Sequence, residues 1–139
     1  MKRFFWIETL NFADGVLRIR LTELLEGEDG AGGFVGRPLE IQSASHTYDV
    51  VIEYVGHFQL HLEQTDGLSE RAVPLQNFLY REEGSVFHAE LAWSIETFAN
   101  PPIPQGAAVV HYVVYAENYV VDVLAAQEPN VTEVNRGAV

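Results

Sequence analysis

Cysteine is absent from this 139-residue chain, and its absence excludes three kinds of chemistry. Without thiols the chain forms no disulfide framework, no thiolate zinc site and no cysteine nucleophile. Long hydrophobic runs are absent too, since no uncharged apolar stretch reaches the roughly 18–20 residues of a membrane span. The apolar run that begins at Phe4 ends before Glu8, short of the roughly 7–15 residues of a signal-peptide core. We therefore expect a cytoplasmic protein that has no membrane partner.

Positive charge is also scarce. Eight Lys and Arg side chains stand against twenty Asp and Glu, which gives a formal net charge of -12. Phosphate backbones are bound by clustered basic side chains, so we expect no nucleic-acid partner. Residues 26–37 are rich in glycine, but Val35 stands where the dinucleotide-binding spacing begun at Gly30 and Gly32 needs a glycine, and we interpret the segment as an acidic loop. An acidic surface favours encounter with a basic protein.

The length and the hydrophobic pattern predict one all-β domain. A chain of 139 residues has an ordinary single-domain length, and its apolar residues recur mainly with period two in runs of β-branched and aromatic types. We predict an antiparallel β-sandwich or partly closed barrel of about seven or eight strands with at most one or two short helices, one of them near residues 94–99. The domain is predicted to span residues 1–126, with residues 127–139 as a loosely packed C-terminal tail.

Four predicted hairpins account for these strands. They join residues 4–10 to 16–21, residues 48–53 to 57–62, residues 75–80 to 86–91, and residues 107–116 to 119–125. In the second hairpin, a three-residue loop that ends at Gly56 would place Glu53 opposite His57 and Asp49 opposite His61. Both strands of the fourth hairpin are apolar on both faces, so we expect them to be central and buried.

The five histidines are the first candidates for metal or acid–base chemistry. His57 and His61 would lie about 13 Å apart along one strand, too far to share a metal easily, and we interpret them as half-exposed partners of the facing acidic residues. His88 and Glu90 would share a strand face, but they supply two ligands only. Because no sequence-local set reaches three ligands, we predict no metal and no cofactor.

Asp122 is unusual because it interrupts an apolar strand. A carboxylate there must be ion-paired, hydrogen-bonded or protonated. Its candidate neighbours across the fourth hairpin are His111, Tyr112 and Val113. A carboxylate beside a histidine is the core of many general-base pairs, and a buried polar link that fixes the strand register is the structural alternative. No serine stands in a Gly-x-Ser-x-Gly pattern, so the sequence favours a non-enzymatic protein without excluding an enzyme.

Aromatic side chains are the second group of candidate binding residues. Eight Phe, six Tyr and two Trp are many for one small core, and some of them could line a pocket or an interface, although core packing is the ordinary alternative. The predicted binding set combines three aromatic residues with the polar candidates: His57, His61, Trp93, His111, Tyr112, Tyr115 and Asp122.

Two segments resemble a loosely defined family of small uncharacterised bacterial proteins. Residues 48–63 are similar to that family's central hairpin, in which an aromatic-rich strand is followed by a second strand that ends in an acidic residue. Residues 111–124 are similar to its closing hairpin, with a His-Tyr start and an Asp-Val pair near the end. The resemblance implies an all-β accessory domain with no assigned chemistry, and some small acidic domains of this kind act as immunity proteins that neutralise toxins.

Two functional hypotheses follow from these observations. The first is a non-enzymatic acidic protein-binding module, an immunity- or antitoxin-like partner of a basic protein. The alternative is a small-molecule-binding sandwich or barrel with a polar site at His111 and Asp122, where weak catalysis would occur. Carboxylates on an open face favour the first, and a deep aromatic pocket around Asp122 favours the second. The sequence leaves open whether the chain forms a homo-oligomer.

Overall fold

A computed structural model of the chain describes residues 3–27, 39–62, 72–83, 91, 102–104 and 106–134. The strands in these residues are β1 (Phe4–Ala13), β2 (Val16–Glu26), β3 (Leu39–Glu40), β4 (Thr47–Ile52), β5 (Val55–His61), β6 (Ala72–Gln76), β7 (Leu79–Glu82), β8 (Val110–Tyr115), β9 (Val120–Ala125) and β10 (Asn130–Val134). The described residues include no helix long and apolar enough to cross a membrane.

These strands form two antiparallel five-stranded sheets. The first sheet has the order β1-β2-β4-β10, with β3 paired to β2, and the second has the order β5-β9-β8-β7-β6. The two sheets pack together through one core, so the predicted all-β fold is confirmed and takes the form of a sandwich rather than a closed barrel. The ten strands exceed the seven or eight expected, and the helix predicted near residues 94–99 lies outside the described residues.

The core lies between the sheets and is built from alternate residues of the strands. In β2, Leu17 and Ile19 are buried while Arg18 between them is exposed. Burying each such aliphatic side chain contributes about 1.5–3 kcal/mol. The same alternation in the other strands supplies the buried side chains of Val50, Ile52, Tyr112, Val114, Val121 and Val123. Period-two patterning therefore determines which face of each strand meets the opposite sheet.

The first predicted hairpin is confirmed, with longer strands than expected. β1 and β2 pair antiparallel and meet at a two-residue turn, Asp14-Gly15. Both residues have positive φ, 53° and 75°, which is the conformation of a type I′ turn and matches the twist of the flanking strands. A β-bulge interrupts the pairing between Ile7 and Thr9.

The second predicted hairpin is wrong, because β4 and β5 lie in different sheets. β4 pairs with β2 and β10, whereas β5 pairs with β9. The chain crosses between the sheets at Glu53 and Tyr54, where Tyr54 has φ 52° and the Val55 N–H donates to the Gly15 carbonyl. The alternating apolar side chains of both strands still point into the core, but each strand contributes them from a different sheet. The expected cross-strand pairs of His57 with Glu53 and of His61 with Asp49 therefore do not form.

The third hairpin is placed differently from the prediction, and the fourth is confirmed. The segment 75–80, expected as one strand, contains the turn Asn77-Phe78 that joins β6 to β7, and residues 86–90 lie outside the described residues. β8 and β9 pair as expected, and β9 lies inside the second sheet between β5 and β8. The predicted loose tail contains β10, which adds an edge strand to β4 at residues 130–134.

Candidate functional site

Four polar side chains meet on the face of the second sheet that points away from the core. Tyr112 and Val123 face the core, so their strand neighbours His111 and Asp122 face the other way. The register places His111 and His61 diagonally to Asp122, one on each adjacent strand, and sets Glu82 directly opposite His111. We call His61, Asp122, His111 and Glu82 the polar array. It spans the four neighbouring strands β5, β9, β8 and β7.

Asp122 is the centre of the polar array because each of its oxygens contacts a different imidazole. Its Oδ2 lies 2.7 Å from His61 Nε2, and its Oδ1 lies 2.7 Å from His111 Nε2. An ionised carboxylate only accepts hydrogen bonds, so both rings donate from Nε2. At the other nitrogen of each ring, His111 Nδ1 lies 3.3 Å from Glu82 Oε2 and His61 Nδ1 lies 3.2 Å from the Leu62 carbonyl oxygen.

The hydrogen bonds explain how Asp122 stays ionised inside an apolar strand. Burial by itself would raise the pKa of Asp122, because it disfavours the charged form. The hydrogen bonds from His111 and His61, together with the charges of the two rings, more than offset burial and hold the pKa of Asp122 below its usual value. His111 is only 3% exposed, so the hydrogen bond to its Nε2 is shielded from water. The carboxylate is therefore satisfied by hydrogen bonding.

The geometry of the polar array disfavours general-base catalysis. A histidine base needs one ring nitrogen directed at the substrate proton. In His111 one nitrogen contacts Asp122 and the other contacts Glu82, while in His61 the second nitrogen contacts the Leu62 carbonyl oxygen. Both nitrogens of each ring thus contact an acceptor oxygen. The array is therefore better suited to binding than to proton transfer.

Three members of the polar array have the chemistry of a metal site. Glu82, His111 and Asp122 each offer a ligand atom, and these atoms all lie within 4.8 Å of one another. One imidazole nitrogen and two carboxylate oxygens form a donor set that zinc and other divalent transition metals accept. Sequence reasoning paired His111 with Asp122 but missed Glu82, because Glu82 joins the site only through the pairing of β7 with β8.

The other predicted binding residues are placed as follows. His57 is half-buried on β5 opposite Leu124, and Tyr115 is half-buried at the end of β8 on the array's face. Tyr112 points into the core, where burial raises the pKa of its phenol and the charge of Glu128 acts in the same direction. Trp93 lies outside the described residues. The structure thus brings together His61, His111 and Asp122, and it separates Tyr112 from them.

A second notable feature lies where the edge strands β1 and β5 meet. The rings of Phe12 and Phe58 pack at a centroid distance of 4.9 Å and join the two sheets there. Leu60, two residues after Phe58 on β5, is 45% exposed, Leu62 just after the strand is 70% exposed, and Phe12 itself is 43% exposed. We call Phe12, Tyr54, Phe58, Leu60 and Leu62 the β1–β5 side. The exposed carboxylates Asp14 and Glu53 stand at the two turns next to it.

Three of the four arginines in the described part of the chain form ion pairs with carboxylates. Arg3 pairs with Glu23 at 2.6 Å, Arg20 pairs with Asp49 at 2.8 Å, and Arg81 pairs with Glu83 at 3.0 Å. With twenty acidic residues against eight basic ones, these pairs leave the chain's excess charge negative. Such a charge excess attracts cationic partners.

Comparison of the chain with protein-family models, with curated proteins and with solved structures gives no match. The resemblance of residues 48–63 and 111–124 to small bacterial all-β proteins therefore stays a prediction.

Proposed function

We propose that the chain is a non-enzymatic acidic binding module that engages a basic protein through the β1–β5 side. The observation that carries the proposal is the group of large apolar side chains left exposed there. Single exposed apolar residues are ordinary on protein surfaces, but adjacent ones are typical of interaction sites. Leu60 and Leu62 are exposed on and just after β5, the strand whose Phe58 packs on the exposed Phe12.

The charges around the β1–β5 side support a basic partner. Protein interfaces commonly have an apolar centre and a polar rim. Here the apolar side chains would form the centre, and the carboxylates of Asp14 and Glu53 would contribute to the rim. The net charge of -12 would also speed encounter with a cationic surface. A basic toxin or nuclease is a partner class with the required charge.

The polar array gives less support to the alternative function of small-molecule catalysis. Both imidazoles are bridged between acceptors, so neither ring presents a nitrogen suited to proton abstraction. Binding rather than turnover is the function that both features of the molecule favour.

The experiment has two steps. The tagged full chain is used to identify partners in its host, and the affinity of each purified pair is then measured by isothermal titration calorimetry at low and high salt. The double variant Leu60→Ser/Leu62→Ser should weaken binding by about tenfold or more, which corresponds to about 1.4 kcal/mol or more. Higher salt should weaken binding further, because it screens the charges.

The matched control is Val73→Ser on β6, the opposite edge of the second sheet. Val73 is 36% exposed, so the substitution removes a comparable surface apolar group. It should leave the affinity unchanged, and circular dichroism should show that all variants fold. Equal losses from Val73→Ser and from the double variant, or unchanged affinity of the double variant, would overturn the assignment of this side.

A further inference from the structure

We propose that the polar array binds one divalent transition-metal ion, with Glu82, His111 and Asp122 as ligands and His61 as a supporting residue. The site lies on the outward face of the second sheet, and the proposal is independent of protein binding at the β1–β5 side. It replaces the sequence-based prediction of no metal, which considered only ligands close together in the sequence.

The donor set and its spacing suit a divalent metal ion. Zinc bonds of about 2.0–2.1 Å in a tetrahedral site place neighbouring ligand atoms about 3.3 Å apart. The ligand atoms of Glu82, His111 and Asp122 lie within 4.8 Å of one another, and His111 Nε2 lies 2.7 Å from Asp122 Oδ1. Reaching this spacing would bring the most distant pair of ligand atoms at most about 1.5 Å closer and would move His111 Nε2 and Asp122 Oδ1 about 0.6 Å apart. Three protein ligands leave a fourth position for water or another ligand.

A neighbouring residue, His61, holds one of the ligands in place. Ligating carboxylates in metal sites are commonly held by hydrogen bonds from a second layer of residues. His61 Nε2 donates to Asp122 Oδ2, the oxygen not facing His111, and the Leu62 carbonyl oxygen lies near the other nitrogen of the His61 ring. Asp122 is thereby oriented toward His111. His61 acts through Asp122 and is a positioning residue.

The site is built into the second sheet. Asp122 and His111 come from β9 and β8, two strands paired over six residue pairs, and Glu82 lies directly opposite His111 on β7. His111 is 3% exposed, while the side chains of Glu82 and Asp122 are 23% and 19% exposed. The ligand positions are therefore fixed by backbone pairing, and the two carboxylates are the partly exposed members of the set. On binding, the proton between His111 and Asp122 would be released to solvent.

A contrasting pair elsewhere in the chain supplies the control. His46 Nδ1 contacts Glu133 Oε1, but both side chains are 54% exposed and the described residues add no third ligand there. Two exposed ligands are not expected to hold zinc at stoichiometric amounts.

The test is titration of the metal-free full chain with zinc ions, by calorimetry and by thermal unfolding. The wild-type protein should bind about one zinc per chain and unfold at a higher temperature with zinc. Glu82→Gln, which keeps the side-chain shape but removes the charge, should abolish stoichiometric binding. His61→Gln should weaken affinity by about 10–100-fold at unchanged stoichiometry, as expected for a positioning residue. His46→Gln should bind like the wild type.

These variants distinguish residues that bind the ion from residues that do not. Circular dichroism of the metal-free variants checks that each is folded before titration, so a loss of binding is not a loss of structure. Absence of zinc binding by the folded wild-type chain would overturn the proposal. So would unchanged binding by Glu82→Gln, or a loss of binding caused by His46→Gln.

Discussion

At the scale of single residues, Asp122 shows how an ionised carboxylate is held inside a sheet. Two imidazoles from the neighbouring strands donate to its two oxygens, each at 2.7 Å. Hydrogen bonds that involve a charged group contribute about 1.5–3 kcal/mol each. The three strands that carry these side chains are therefore linked by side chains as well as by backbone pairing.

Substitution of Asp122 is predicted to affect stability in a graded way. Asp122→Ala leaves the facing nitrogens of His61 and His111 without an acceptor, at a cost of about 1–3 kcal/mol in the free energy of unfolding. Asp122→Asn keeps the shape and one acceptor oxygen, so its cost should be smaller. Urea unfolding of both variants measures the difference. Equal stability of Asp122→Ala and the wild type would contradict the structural link.

Asp49 gives a pH prediction at the same scale. Hydrogen bonds from the Arg20 guanidinium, at 2.8 and 2.9 Å, lower the pKa of Asp49, with burial opposing and the Arg20 charge assisting. A carboxyl whose pKa is lower in the folded state stabilises the fold above its unfolded pKa of about 4, and the stabilisation is lost as pH falls through the folded pKa. Both side chains are at least one-third exposed, so the effect is small.

The measurement for Asp49 compares the wild type with Asp49→Asn. The difference in the free energy of unfolding should be constant near neutral pH and should shrink below about pH 4. A difference that stays constant down to the lowest pH at which both proteins fold would contradict the role of the Arg20 pair.

At the scale of elements, local turns made two hairpins predictable and nonlocal pairing did not follow from sequence. Asp14-Gly15 joins β1 to β2. The short loop between β8 and β9 makes their antiparallel pairing predictable, and that pairing brings His111 close to Asp122. The period-two pattern of β4 and β5 places their apolar side chains in the core of a sandwich whether the two strands lie in the same sheet or in opposite sheets. The pattern therefore does not determine which strands pair. His61 and Glu82 enter the site through the pairs β5·β9 and β7·β8, whose partners are distant in sequence.

The first turn carries an element-scale prediction. Gly15 has φ 75°, a left-handed conformation that costs other residues about 1–2 kcal/mol. Gly15→Ala should therefore lower the free energy of unfolding by about that amount. Asp14→Asn should be nearly neutral, because Asn tolerates positive φ and Asn-Gly is favoured in type I′ turns. Thermal unfolding compares the two, and a Gly15→Ala protein as stable as Asp14→Asn would contradict the turn assignment.

At the scale of the whole molecule, the two sheets and the charge have separate roles. The shared core fixes which edges lie beside each other, and it brings β1 and β5 together through Phe12 and Phe58. The net charge of -12 would favour positively charged partners by sign rather than by shape. The exposed apolar side chains at the β1–β5 side would then determine where a basic partner docks.

Hydrogen–deuterium exchange of the full chain, alone and in complex with a basic protein identified as a partner by the experiment above, tests the proposed docking at the β1–β5 side most directly. Backbone amides that a partner covers exchange more slowly. The account predicts slower exchange in Phe4–Ala13 and Val55–His61 on binding, with little change in Ala72–Gln76 at the opposite edge of the second sheet. Protection confined to Ala72–Gln76 or Asn130–Val134, with β1 and β5 unchanged, would contradict it.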